Sequence, residues 1–105
     1  SDLGRCEESL EILNTILSKE SGNPHALIGK GHALMGLGKY DESLKYFDDV
    51  LNINPDIKEA QVYKGMALYF LGKYDEAMDI DAFKTEFAEK FKHELDKHQQ
   101  EKKQD

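Results

Sequence analysis

The phrase Leu37-Gly-Lys-Tyr-Asp-Glu-Ser-Leu44 returns 34 residues later as Leu71-Gly-Lys-Tyr-Asp-Glu-Ala-Met78. Upstream, Lys30-Gly31-His-Ala-Leu34 returns at the same offset as Lys64-Gly65-Met-Ala-Leu68, and Leu3-Gly-Arg-Cys-Glu-Glu-Ser-Leu10 is a weaker earlier copy. A fixed period of this size means a stack of repeated supersecondary units. Such stacks usually act as binding surfaces, because each unit touches only its neighbours and the array leaves an extended face open.

The spacing of apolar residues gives the elements. Cys6, Ser9, Leu10, Leu13, Ile16 and Leu17 form one helical stripe, so residues 5–19 read as a helix. Gly22 is a candidate C-terminal cap and Asn23 a candidate N-terminal cap, with Pro24 in the first turn of a second helix over 24–36. Gly36-Leu37-Gly38-Lys39 reads as a tight turn. Asp41 and Glu42 then open a third helix, running to about Asn52 on Tyr40, Ser43, Leu44, Phe47, Val50 and Leu51. A fourth helix is expected over 57–70. After Gly72 there is no Gly or Pro. The stripe Ala77, Ile80, Phe83 or Lys84, Phe87, Phe91, Leu95, His98 therefore predicts one amphipathic helix from Tyr74 to about Glu101, of ~28 residues and ~42 Å. The stripe slips register near Ile80–Ala82, where a break is the alternative.

These residues resemble the tetratricopeptide repeat, whose pattern is W-x2-L-G-x2-Y, A-x3-F and P over 34 residues. Gly31 and Gly65 match its glycine, Ser43 and Ala77 its small residue, Phe47 its Phe and Pro55 its Pro. Leu27 and Gln61 replace the Trp, Lys30 and Lys64 the Leu, and Leu34 and Leu68 the Tyr. The Gly-Lys-Tyr-Asp-Glu wording looks like that of archaeal repeat arrays. The resemblance covers about residues 3–78 and implies an all-α fold, a right-handed α-solenoid of helical hairpins. One domain is expected over 1–105. It divides into the second helix of a partial repeat (1–23), a full repeat (24–57), a third repeat (58–79) and a long C-terminal helix with a polar tail (80–105). The third repeat departs from the pattern, with Asp81 where Phe47 stood. The expected core is Leu10, Leu13, Ile16, Leu17, Leu27, Leu34, Leu44, Phe47, Val50, Leu51, Leu68 and Met78. Gly31 and Gly65 are expected at helix–helix contacts.

The resemblance places the first helix of each repeat along a concave groove. Its groove residues here are His25, Ile28, Gly29, His32, Met35, Glu59, Val62, Tyr63, Met66, Tyr69 and Phe70, an apolar set for an exposed surface. One subset of the family grips a C-terminal carboxylate with Lys, Asn and Arg in this groove. At those places this chain has Ile28, Gly29 and His32, then Glu59, Tyr63 and Met66, so that clamp is absent. A protein or peptide partner with an apolar or helical segment is the expectation, with no enzyme activity and no cofactor. The alternative is a self-assembling unit, natural or engineered. On that reading Ile80, Phe83, Phe87, Phe91 and Leu95 contact a second copy and exchange helices in a homodimer, because a continuous helix cannot fold back.

Composition narrows the partners. A net charge of −7 over 105 residues disfavours nucleic acid and an anionic membrane surface. No apolar run reaches the ~18 residues that suggest a span. Ser1 in place of Met suggests a fragment or processed product, and a single cysteine makes the cytoplasm the default. Cys6 sits in the apolar stripe and reads as a small hydrophobe. His25 and His32, seven apart, are spaced too far for the i, i+4 pair a metal site favours, and His93 and His98, five apart on a polar helix, also miss that spacing. The acid pairs Glu7-Glu8, Asp41-Glu42 and Asp75-Glu76 recur with the repeat, as residues that start helices do.

Overall fold

The computed structural model describes the backbone of residues 2–90 and the side chains of residues 3–90. Five helices follow one another as α1 (Asp2–Lys19), α2 (Pro24–Gly36), α3 (Tyr40–Ile53), α4 (Lys58–Phe70) and α5 (Tyr74–Met78). A sixth, α6, occupies 81–90, and the described residues contain no strand. Each helix packs on the next in the chain, α1 on α2, α2 on α3, α3 on α4 and α4 on α5.

Local chemistry sets the boundaries. Asn23 caps α2, its Oδ1 accepting from the Ala26 amide at 3.1 Å. Gly22, expected to cap α1, does not have a positive φ; Gly38 (φ 78°) and Gly72 (φ 84°) do. At each of these the next amide reaches back five residues, Lys39 to the Leu34 carbonyl and Lys73 to the Leu68 carbonyl, both at 2.9 Å. Gly38 and Gly72 also donate to Met35 and Tyr69 at 2.9 and 3.0 Å. Both pairs of bonds satisfy helix-end carbonyls, and the left-handed glycine makes them reachable. α3 and α5 start without a side-chain cap, but each has two acids in its first turn. Those charges meet the positive end of the helix dipole.

Packing repeats with the sequence. Gly29 lies against Leu13, where an added Cβ would sit 3.0 Å from a Leu13 methyl. One period later Tyr63 stacks on Phe47 with ring centroids 5.7 Å apart. Gly36 lies against the Cys6 sulfur, and one period later Phe70 stacks on Tyr40 at 5.2 Å. Small pairs between α1 and α2 thus become aromatic pairs between α3 and α4. Within a repeat, Gly31 faces the Phe47 ring, where a Cβ would lie 2.6 Å from Cε1. Ser43, Phe47 and Val50 are fully buried. The Ser43 hydroxyl donates to the Tyr40 carbonyl at 2.7 Å, so its burial leaves no polar atom unpaired.

Several expectations are corrected. Leu27, Leu34, Phe47, Val50 and Leu68 are buried as expected, but Leu10, Leu13, Ile16 and Leu17 of α1 are only half-buried, as are Leu44, Leu51 and Met78. Among the described residues α1 packs on one helix alone, whereas α3 packs on two. The last helix is not continuous from Tyr74. It ends at Met78, turns through Asp79 and Ile80, and restarts at 81. The physical reason is register. A continuous helix would bring Asp81 to the place of Phe47, against the backbone of Gly65, and burying a carboxylate there is costly. The two-residue turn brings Phe83 there instead. Its side chain meets Gly65 as Phe47 meets Gly31, and Phe83 is only 5% exposed. The Ile80 carbonyl accepts from the Lys84 amide at 2.9 Å and so starts the new helix.

Candidate partner-binding groove

The stripe Glu59, Val62, Tyr63, Met66, Tyr69 and Phe70 runs along one face of α4 at i, i+3, i+4 spacing, which places these side chains in a row. α2 borders the row on one side and α6 on the other, and two depressions result. The first, of about 140 Å³, is lined by His25, Ile28, Gly29, His32, Glu59 and Tyr63. His32 and Tyr63 form part of its wall, their ring centroids 5.0 Å apart. The second, of about 220 Å³, lies between α4 and α6 and is lined by Val62, Met66, Tyr69, Phe70, Phe83, Glu86, Phe87 and Lys90.

Tyr69 is the centre of the second depression. Its ring lies 6.0 Å from Phe70, 5.0 Å from Tyr74, 6.3 Å from Phe83 and 5.4 Å from Phe87. Edge-on and tilted pairs of this kind hold one another in place. The result is a preformed apolar wall with Glu86 and Lys90, both exposed, at its rim. Phe70 remains 53% exposed at the other edge. The cleft is thus apolar within and bordered by one acidic and one basic residue.

The expected groove residues divide. His32, Glu59, Val62, Tyr63, Met66, Tyr69 and Phe70 share the stripe or its border, and His25 stands at the edge of the first depression. Met35 lies in the core with Phe47 and Ala67 and is not open to a partner. Ile28 reaches the first depression but is itself buried. Gly29 is taken up by its contact with Leu13. Glu86 and Lys90 line the depression without any signal in the sequence, and Phe83 and Phe87, expected at a contact with a second copy, line it too. The structure puts Phe83 in the core of this chain, with Ile80, Tyr69 and Phe87 packed around it. Phe91 and Leu95, placed in the same contact, lie outside the described residues, as do His93 and His98. The one signal for Phe83 was its position two residues after the place of Phe47. The register slip of the apolar stripe near Ile80–Ala82 marked a break as the alternative to a continuous helix, but not its length.

Among the described residues no group of three or more His, Cys, Asp or Glu could hold a metal ion. No described helix is long and apolar enough to cross a membrane. The one described ion pair, Lys64 to Asp48 at 2.7 Å, joins α4 to α3 on partly exposed ground.

A stack of helices that repeats its own contacts every 34 residues, with an open apolar cleft along one face, defines a helical-repeat scaffold. The chain belongs to the tetratricopeptide repeat family, whose model matches residues 1–51 and again 28–82. Repeats of this family mediate protein–protein interaction, typically as non-enzymatic scaffolds. No curated protein matches the chain.

Proposed function

We propose that this chain is a non-enzymatic interaction module that holds an apolar helical or extended segment of a protein partner along α4. The observation that carries this reading is the cleft around Tyr69, preformed and apolar, with Phe70 exposed at its edge. Glu59 stands at the mouth of the neighbouring depression, which favours a neutral or basic segment over a chain-terminal carboxylate. The lone thiol, Cys6, suits a reducing compartment, and the cytoplasm is part of this reading.

The test is selection of peptides on the immobilised chain from a random displayed library, followed by affinity measurement. Selected peptides should share apolar residues at helical or alternating spacing. Tyr69→Ala should weaken them by roughly tenfold or more, as expected for a central aromatic anchor. Equal affinity for Tyr69→Ala would remove the cleft from the binding site.

A second reading fits the same cleft. Phe87 is half-buried beside it, so the segment held there can come from a second copy, giving a homodimer through the C-terminal helix. A helix unable to fold back is not its ground, because a turn through Asp79 and Ile80 separates α5 from α6. Light scattering distinguishes the two readings. A dimer that Phe87→Asp dissociates supports self-assembly, and a monomer at high concentration eliminates it.

A further inference from the structure

The two depressions along α4 differ in chemistry. The Tyr69 cleft is apolar within, whereas the first depression, of about 140 Å³, combines one acid with aromatic rings. Glu59 is exposed in the first turn of α4, and its carboxylate pairs with no cation among the described residues. Tyr63 follows it at i+4 and so shares its face. His32 of α2 stands across from Tyr63, with ring centroids 5.0 Å apart and planes 38° apart. Ile28, itself buried, and the bare backbone of Gly29 add an apolar part to the lining. With His25 and His32 neutral, Glu59 carries the one formal charge among the described residues that line this depression.

We propose that the first depression is a subsite for an arginine side chain of the partner segment, an inference that rests on α4 being the partner-binding face. A guanidinium is flat. It can donate a fork of hydrogen bonds to the Glu59 carboxylate while its face lies on the Tyr63 or His32 ring. A lysine ammonium would meet the charge but could not stack as a plane, so arginine is preferred. The depression is smaller than the ~300–1,000 Å³ of a small-molecule pocket, which suits one side chain rather than a free cofactor. A net charge of −7 draws a basic segment toward the chain as a whole. The second subsite fixes the spacing. Tyr63 and Phe70, one at each depression, are seven residues apart on α4 and so about 10 Å apart along its axis. A polyproline-type extended segment covers that distance in three residues and brings both side chains to one face. A helix covers it in seven. The partner therefore carries arginine at i and an apolar anchor three residues away when extended, or seven away when helical.

The test selects displayed random dodecapeptides in parallel on the wild-type chain and on Glu59→Lys. Peptides from the wild type should carry Arg, in preference to Lys, at one of these spacings from an apolar residue. Peptides from Glu59→Lys should replace that Arg by an acid and keep the apolar residue. For one wild-type peptide, Glu59→Gln should weaken binding roughly threefold to tenfold. The same peptide with its Arg changed to Glu should bind Glu59→Lys more tightly than it binds the wild type. Glu59 is exposed, so both variants should keep the wild-type circular dichroism spectrum. No preference for Arg over Lys, or equal affinity for Glu59→Gln, would overturn the subsite. If Tyr69→Ala still weakens those peptides, the cleft reading stands without it. Peptides indifferent to both Glu59→Gln and Tyr69→Ala would remove the whole face, and this subsite with it.

Discussion

Phe47 ties one repeat to the next. It is fully buried, faces Gly31 of its own repeat and stacks on Tyr63 of the next. Removing the ring leaves a cavity bounded by two helices that cannot both collapse into it. Phe47→Ala should therefore cost about 3–5 kcal/mol, measured by urea unfolding. A loss under ~1 kcal/mol would mean that the ring is not packed as described. Gly31 makes the complementary case. Leu has the better helix propensity by ~0.8 kcal/mol, but its Cβ alone would stand 2.6 Å from the Phe47 ring. Gly31→Leu should destabilise despite that gain, whereas a rise in melting temperature would contradict the close approach. These two residues were legible in the sequence because each occupies a family position. Gly29 and Gly36 were not, because their contacts with Leu13 and Cys6 become aromatic pairs one period later and share no residue type with them. The Lys64–Asp48 pair is partly exposed and contributes at most a few tenths of a kcal/mol up to ~1.

At the scale of elements, the break between α5 and α6 departs most from the sequence reading. Local propensity favours one helix through 79–80, since no Gly or Pro intervenes. Tertiary packing overrides it, because only the turn exchanges Asp81 for Phe83 at Gly65. Two linked outcomes follow. Phe83→Ala should cost about as much as Phe47→Ala, ~3–5 kcal/mol. Deleting Asp79 and Ile80 together should be far milder, because it moves Phe83 to the Phe47 place in an uninterrupted helix. Thermal melts of the two variants check this. A deletion as damaging as Phe83→Ala would show that the turn has another purpose. The rest of the element order followed from the apolar stripes, the Asn23 cap and the two positive-φ glycines, all of which are local features. The turn is dictated by a contact with Gly65, some 15 residues earlier, and its local trace is the register slip of the stripe near Ile80–Ala82, which left a break as the alternative.

At the scale of the whole molecule, the repeat makes one long surface from short helices, and the two depressions lie side by side along α4. The resemblance to the family marked α4's part of that surface, as the first helix of its repeat. It could not mark α6's part, because the position of α6 depends on the turn. On the proposed reading, partners bind along this face and not on the far side of the stack. Hydrogen–deuterium exchange of the chain with a selected peptide, against the free chain, checks this. Protection should rise in α4 and in α6 around Phe87. It should stay unchanged around Asp49 and Ile53, which are exposed on α3 and line neither depression. Protection centred on α3, with none in α4 or α6, would contradict the claim.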